Sequence, residues 1–191
     1  VFDKDYSSEM KVFQKEFLRT EKELNDFVGK KKQLLETKGT DSLFKKTGDE
    51  PFTFHVYRND SLIFWNTNQL PILRFAELHY PANGIVHLQN GWYYAKTVDS
   101  GETQLVASFL IKKDYQYENK NLRNDFNPKF VIPFKGSIVL EKENAYPIYK
   151  NRQFIFALYP YDNQPVPSSN SDILLSLLIL TIGFSLLAVF S

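Results

Sequence analysis

From Tyr6 onward, apolar side chains return at alternating intervals of four and three residues: Tyr6, Met10, Phe13, Phe17, Leu24, Phe27 and Leu34, with Thr20 and Lys31 in the two remaining places. That alternation predicts one long helix with a heptad seam, flanked by Glu, Lys and Gln. Two partners fit the seam. Phe at several positions suits the surface of the chain's own sheet, whereas a second copy of the chain could pair along the same stripe. Gly39, Thr40 and Asp41 end the helix or begin its exit loop.

The pattern then changes to alternation in twos. "FTFHVYRNDSLIFWNT" reads as a hairpin turning at Asn59, Asp60 and Ser61. "GIVHLQNGWYYAK" reads as a second, with Asn90-Gly91 supplying a type I′ turn. In that register Leu88 faces Tyr93 and His87 faces Tyr94. One face then carries Val86, Leu88, Tyr93 and Ala95 and is expected to be the core face. The other carries Ile85, His87, Gln89, Trp92, Tyr94 and Lys96, the makeup of a pocket wall or of a solvated sheet face. "TQLVASFLIKK" is nearly all apolar and predicts a central strand covered on both sides. In "DYQYENKNLRNDFNP", Asp114 is placed to cap a short helix and Pro128 to close it. A final strand pair has Pro147 at an edge and a turn near Asn151.

The chain ends "DILLSLLILTIGFSLLAVFS", with no Asp, Glu, Lys, Arg, His, Asn or Gln between Ile173 and Phe190. A hydrocarbon core takes about 20 apolar residues to cross, and roughly 17 suffice. Without a polar face the run is not an amphipathic surface helix, and it is expected to span a membrane. The stretch before it carries two Asp and no Lys or Arg, which places residues 1–172 outside the cytoplasm, since cytoplasmic flanks gather basic residues. The Pro- and Ser-rich "YDNQPVPSSNSD" is too polar and broken to pack and reads as a tether. The expected organisation is an α+β chain. A long helix occupies 1–40, an antiparallel-sheet core 41–161, the tether 162–172 and the transmembrane helix 173–191. A start at Val1, with no signal-peptide pattern, suggests a piece of something longer.

Composition narrows the chemistry. The absence of Cys suits an oxidising compartment, and a formal charge of +1 gives no reason to expect nucleic acid. His55, His79 and His87 have no ligand spacing, so neither a metal nor a cofactor is expected. No nucleophile elbow, phosphate loop or paired carboxylates stand out, and the segment does not read as an enzyme.

"SLIFWNTNQLP", "NGIVHLQNGWYYAKT" and "LIKKDYQYENKNLRNDFNPKF", ahead of a membrane span, resemble the extracytoplasmic sensor region of two-component sensor histidine kinases common in Bacteroidetes. The resemblance runs from about Phe52 to the end of the span. It is most specific at Asn90-Gly91-Trp92-Tyr93 and at Tyr117-Glu118-Asn119 with Leu122, Asn124 and Phe126. Where the family often has Ser-Asp-Asn after the first Trp, this chain has Asn66-Thr67-Asn68. The resemblance implies a periplasmic, ligand-sensing input domain at the bacterial inner membrane, dimeric with a kinase inside, and a PAS-like or Cache-like fold in which a long N-terminal helix backs an antiparallel sheet. The same tether and span would also serve a membrane-anchored binding or scaffold subunit without a kinase.

Trp65, Asn68 and Arg74, with Trp92 and Tyr94, are the candidate ligand-binding residues. Aromatic walls with a few fixed polar groups suit a small polar ligand, and the Arg74 fork would favour an anion. Core positions for the two Trp are the competing reading.

Overall fold

The computed structural model describes residues 5–44, 50–68, 70 and 83–161. The expected tether and apolar C-terminal run lie outside the described residues. Among the described residues no helix is long and apolar enough to cross a membrane.

The chain is α+β, with a long N-terminal helix against antiparallel sheets. Helix α1 covers Ser7–Lys38 and is followed by the single turn α2, Asp41–Phe44. Gly39 stops α1 at a φ of 69°, a left-handed value that a Cβ would disfavour, and its N–H caps the Leu35 carbonyl at 3.0 Å. Five strands follow: β1 Thr53–Arg58, β2 Ser61–Trp65, β3 Asn83–Leu88, β4 Gly91–Ser100 and β5 Thr103–Lys113. They form one antiparallel sheet in the order β2-β1-β5-β4-β3. A second sheet, β6-β8-β7, is built from β6 Gly136–Val139, β7 Tyr146–Lys150 and β8 Gln153–Pro160. The expected final pair is thus three strands, with Pro147 on the edge strand β7. Its turn falls at Asn151 and Arg152, both at positive φ.

The seam of α1 packs on its own domain. Met10, Phe13, Phe17, Thr20, Leu24 and Phe27 are buried, as are Glu21, Val28 and Leu35 beside the seam. The buried stripe moves from Phe27 to Val28 and from Leu34 to Leu35 because a straight helix of 3.6 residues per turn drifts about 20° per heptad. Phe17 touches β4, β5 and β8 through Tyr94, Phe109 and Phe156, at centroid distances of 5.2, 5.8 and 5.3 Å. Phe27 packs edge-on against Phe52 and Phe54. Polar ties fix the helix along its length. Lys150 Nζ donates to the buried Glu21 carboxylate at 2.7 Å, and the Tyr149 N–H donates to Gln14 Oε1 at 3.1 Å. The Lys96 ammonium also donates to Asn25 Oδ1.

Two sequence expectations are corrected. The Asn90-Gly91 hairpin turns one residue earlier, at Gln89-Asn90, so that Leu88 pairs with Gly91 and His87 with Trp92. Gly91 is needed for close approach to β5, since a Cβ there would lie 2.5 Å from the Lys112 carbonyl oxygen. The slip leaves the two faces unchanged, but the face carrying Ile85 and Tyr94 is the one packed against α1 in the main core. Val86, Leu88 and Tyr93 belong to a smaller cluster on the opposite face with Tyr57, Leu70 and Val106.

The short helix expected after Asp114 does not form. Residues 114–135 are irregular because asparagine side chains take up the backbone groups that a helix would use. Asn124 holds both the N–H and the C=O of Tyr115, at 2.6 and 3.1 Å, and Asn119 Oδ1 accepts from the N–H groups of Asn121 and Leu122.

Phe17→Ala is expected to lower unfolding free energy by about 3–5 kcal/mol, the usual result of emptying a closed aromatic site. Val12→Ala, at a position 62% exposed, should change it by less than about 0.5 kcal/mol. Urea unfolding of the two variants measures both. Similar small losses would show that the seam is not a closed core.

Candidate functional site

The five candidate ligand-binding residues do not share one wall. Trp65 pairs with His55 across β1–β2 and therefore lies on the face turned away from α1. It is 44% exposed, and its indole N–H donates to Asn68 Oδ1 at 2.7 Å. Tyr94, only 2% exposed, is on the α1 face between Phe17 and Phe109. Trp92 lies on that same face, at the edge of the core. Arg74 lies outside the described residues. Trp65 and Asn68 therefore stand together, whereas Trp92 and Tyr94 belong to the other side of the sheet.

Trp92 is part of a polar node centred on Asp114. The Asp114 carboxylate accepts from the Trp92 indole N–H at 3.2 Å and lies 2.9 Å from His87 Nε2. Lys112 Nζ is 3.9 Å from its second oxygen. The His87 ring stacks on Trp92 with centroids 4.3 Å apart. The Asp114 N–H donates to the Asn90 carbonyl at 3.1 Å, and Tyr93 Oη donates to the Asn90 side-chain oxygen. Lys112 is 3% exposed; burial pushes its pKa down, opposed by the nearby carboxylates of Asp114, Glu118 and Asp125. The node's chemistry is that of an anchor. A shielded ammonium and a carboxylate already engaged by an indole and an imidazole hold the long loop against the hairpin. The helix-capping role expected of Asp114 is replaced by this one.

Asn66 has a similar structural use. Its side chain accepts from the Phe54 N–H and donates to the Phe52 carbonyl, each at 2.8 Å, prolonging the β1–β2 ladder.

The face away from α1 holds a second polar group, which sequence reasoning did not assemble. His55 on β1 and Thr97 on β4 flank Val106 of β5, and Ser108 lies one place along β5 on the same face. His55 Nε2, Thr97 Oγ1 and Ser108 Oγ are buried without a hydrogen-bond partner among the described residues. His55 and Ser108 are each 1% exposed. Burial pushes the His55 pKa down to about 4 and those of Tyr57 and Tyr93 up to about 12. At neutral pH His55 is an uncharged imidazole, with its Nδ1 3.5 Å from the Tyr57 hydroxyl. The only hint in the sequence was a His alternating with apolar residues on a strand, a pattern that also fits a satisfied core histidine. Among the described residues, no group of three or more His, Cys, Asp or Glu side chains could hold a metal ion.

No protein-family model, curated protein or solved structure matches the chain.

Asp114→Ala is expected to cost about 1 kcal/mol by leaving the part-buried Trp92 indole N–H without its acceptor. It should also shift Trp92 fluorescence and open residues 115–126 to proteolysis, and an unchanged digestion pattern would refute the anchoring role.

For His55, the folded value of about 4 lies below the ordinary 6.5. Between those values the unfolded chain binds a proton that the folded chain does not. Its contribution is therefore complete above pH 6.5 and is lost as pH falls toward 4, by roughly 3 kcal/mol in the limit. Urea unfolding at pH 7 and pH 4 should show this fall reduced in His55→Phe. Equal pH dependence in the two proteins would show that another group carries it.

Proposed function

We propose that this chain is the extracytoplasmic signal-input domain of a membrane-bound sensor histidine kinase, with a PAS-like or Cache-like fold and no catalytic role of its own. The observation that carries the reading is the long helix α1 backing an antiparallel five-stranded sheet, the arrangement of the sensor domains that the sequence resembles. In this reading the apolar run 173–190 crosses the bacterial inner membrane and residues 1–172 face the periplasm.

Support for signal relay comes from the two ends of the folded domain, which meet on the small sheet. At the start of α1, the Tyr6 N–H donates to the Tyr146 hydroxyl at 2.9 Å, and the Tyr6 ring packs on Phe134. Tyr146 pairs with Leu158 on β8, the strand that ends at Pro160 and leads toward the tether. A change in how α1 sits on the sheets would thus move the helix start relative to the exit strand. A ligand drives that change only if it binds the two arrangements with different affinity. The partner is a second copy along α1. Because Met10, Phe13 and Phe17 are buried on the chain's own sheets, the pairing face is the outer one, which carries Val12 and Lys15.

The full reading frame, expressed in membranes, should incorporate phosphate on a histidine after Ser191, and residues 1–172 should be protected from protease on the cytoplasmic side. A single Cys at Val12 should give crosslinked dimer, and one at Phe17 none. A frame with no kinase core, or residues 1–172 cut from the cytoplasmic side, would overturn the reading in favour of another anchored module.

A further inference from the structure

The buried side-chain polar atoms that lack a partner among the described residues are His55 Nε2, Thr97 Oγ1 and Ser108 Oγ. All three fall on one face of the large sheet, on the adjacent strands β1, β5 and β4. Each such atom costs about 1–3 kcal/mol when its hydrogen bond is unmade. Three in one patch, on the face opposite the helix-covered core, are a concentrated cost that packing alone does not require.

The three side chains are neighbours on that face, with Val106 between His55 and Thr97. His55 and Thr97 stand two strands apart, roughly 10 Å at ordinary strand spacing. Ser108 is flanked by Thr53 on β1 and Ala95 on β4, and Ala95 contributes only a methyl group. Tyr57 and Tyr93 provide the apolar border, within a cluster that also contains Leu70 and Val106.

We infer that His55, Thr97 and Ser108 form a binding site for a small uncharged molecule that carries both a hydrogen-bond donor and an acceptor, of the amide or polyol class. The two hydroxyls both donate and accept, and the imidazole Nε2 does one or the other according to its tautomer. Burial that keeps His55 neutral penalises an ionised ligand by the same desolvation. The inference deepens the sensor reading, from which it takes only its biological role, by naming the ligand class.

The test uses the 191-residue chain in detergent with ¹⁵N-labelled histidine, and acetamide, glycerol and acetate as probes. Acetamide or glycerol should shift the His55 ring nitrogens saturably, and acetate should not. Ser108→Ala and Thr97→Val should each weaken binding of the neutral probe about fivefold to tenfold, the effect of one lost hydrogen bond, while retaining cooperative unfolding. Three outcomes overturn the site: no saturable shift with either neutral probe, an equal shift with acetate, or a resident water that saturating acetamide does not displace from the His55 ring. In the full-length protein the two claims separate. Probe binding without any change in autophosphorylation removes the sensor reading and leaves the site. A kinase whose response survives His55→Phe, in a protein that binds no neutral probe, removes the site and leaves the sensor.

Discussion

The structure depends on a single packing constraint, that one helix must close two sheets at once. Phe17 carries most of it, lying against Tyr94 and Phe109 of the large sheet and Phe156 of the small one. A turn earlier, Phe13 packs on Phe130 of the segment after β5 and on Phe156 of the small sheet. Neither sheet has another described helix of comparable length to cover it, so the apolar stripe of α1 is what lets both bury a face. The buried Glu21 carboxylate, held by Lys150 and by Asn25, fixes the helix against sliding because displacement would strand a charge in the interior.

With α1 closing one face, the large sheet is differentiated between its two sides. The helix side is filled by interlocking aromatic rings. The opposite side has a smaller apolar cluster and the buried polar atoms of His55, Thr97 and Ser108. Residues alternate between the faces of the same strands, so the two sides share one backbone. His55 lies between Phe54 and Val56, both packed toward α1.

The Asp114 node shows a different division of labour. The hairpin and the asparagine-rich loop after β5 are separate in sequence, and each is locally irregular or tight. Asp114 with Trp92, His87 and Lys112 makes them one unit. The loop's asparagines satisfy its backbone from within, so it holds a defined shape without helix or strand. The expected helix is absent because those asparagines occupy the backbone groups that it would have used.

How much could be read from sequence follows from the range of each interaction. The long helix, the hairpins, the central strand β5 and the edge position of Pro147 were set by periodicity and turn chemistry acting over a few residues, and the structure has them. The alternating faces of the second hairpin also survived, because moving its turn by one residue shifts both strands together and preserves which side chains point the same way. The Trp65, Asn68, Trp92 and Tyr94 grouping did not survive as one wall, since aromatic content says nothing about which face a neighbouring element will cover. The sequence by itself determined period, polarity and the local punctuation of the chain. Only the tertiary structure decided which sheet face met α1, where the Gly91 turn settled against β5, and that three polar atoms from distant segments were left together in the interior. Those outcomes rest on contacts between residues far apart along the chain, and hydrophobic alternation is symmetric with respect to them.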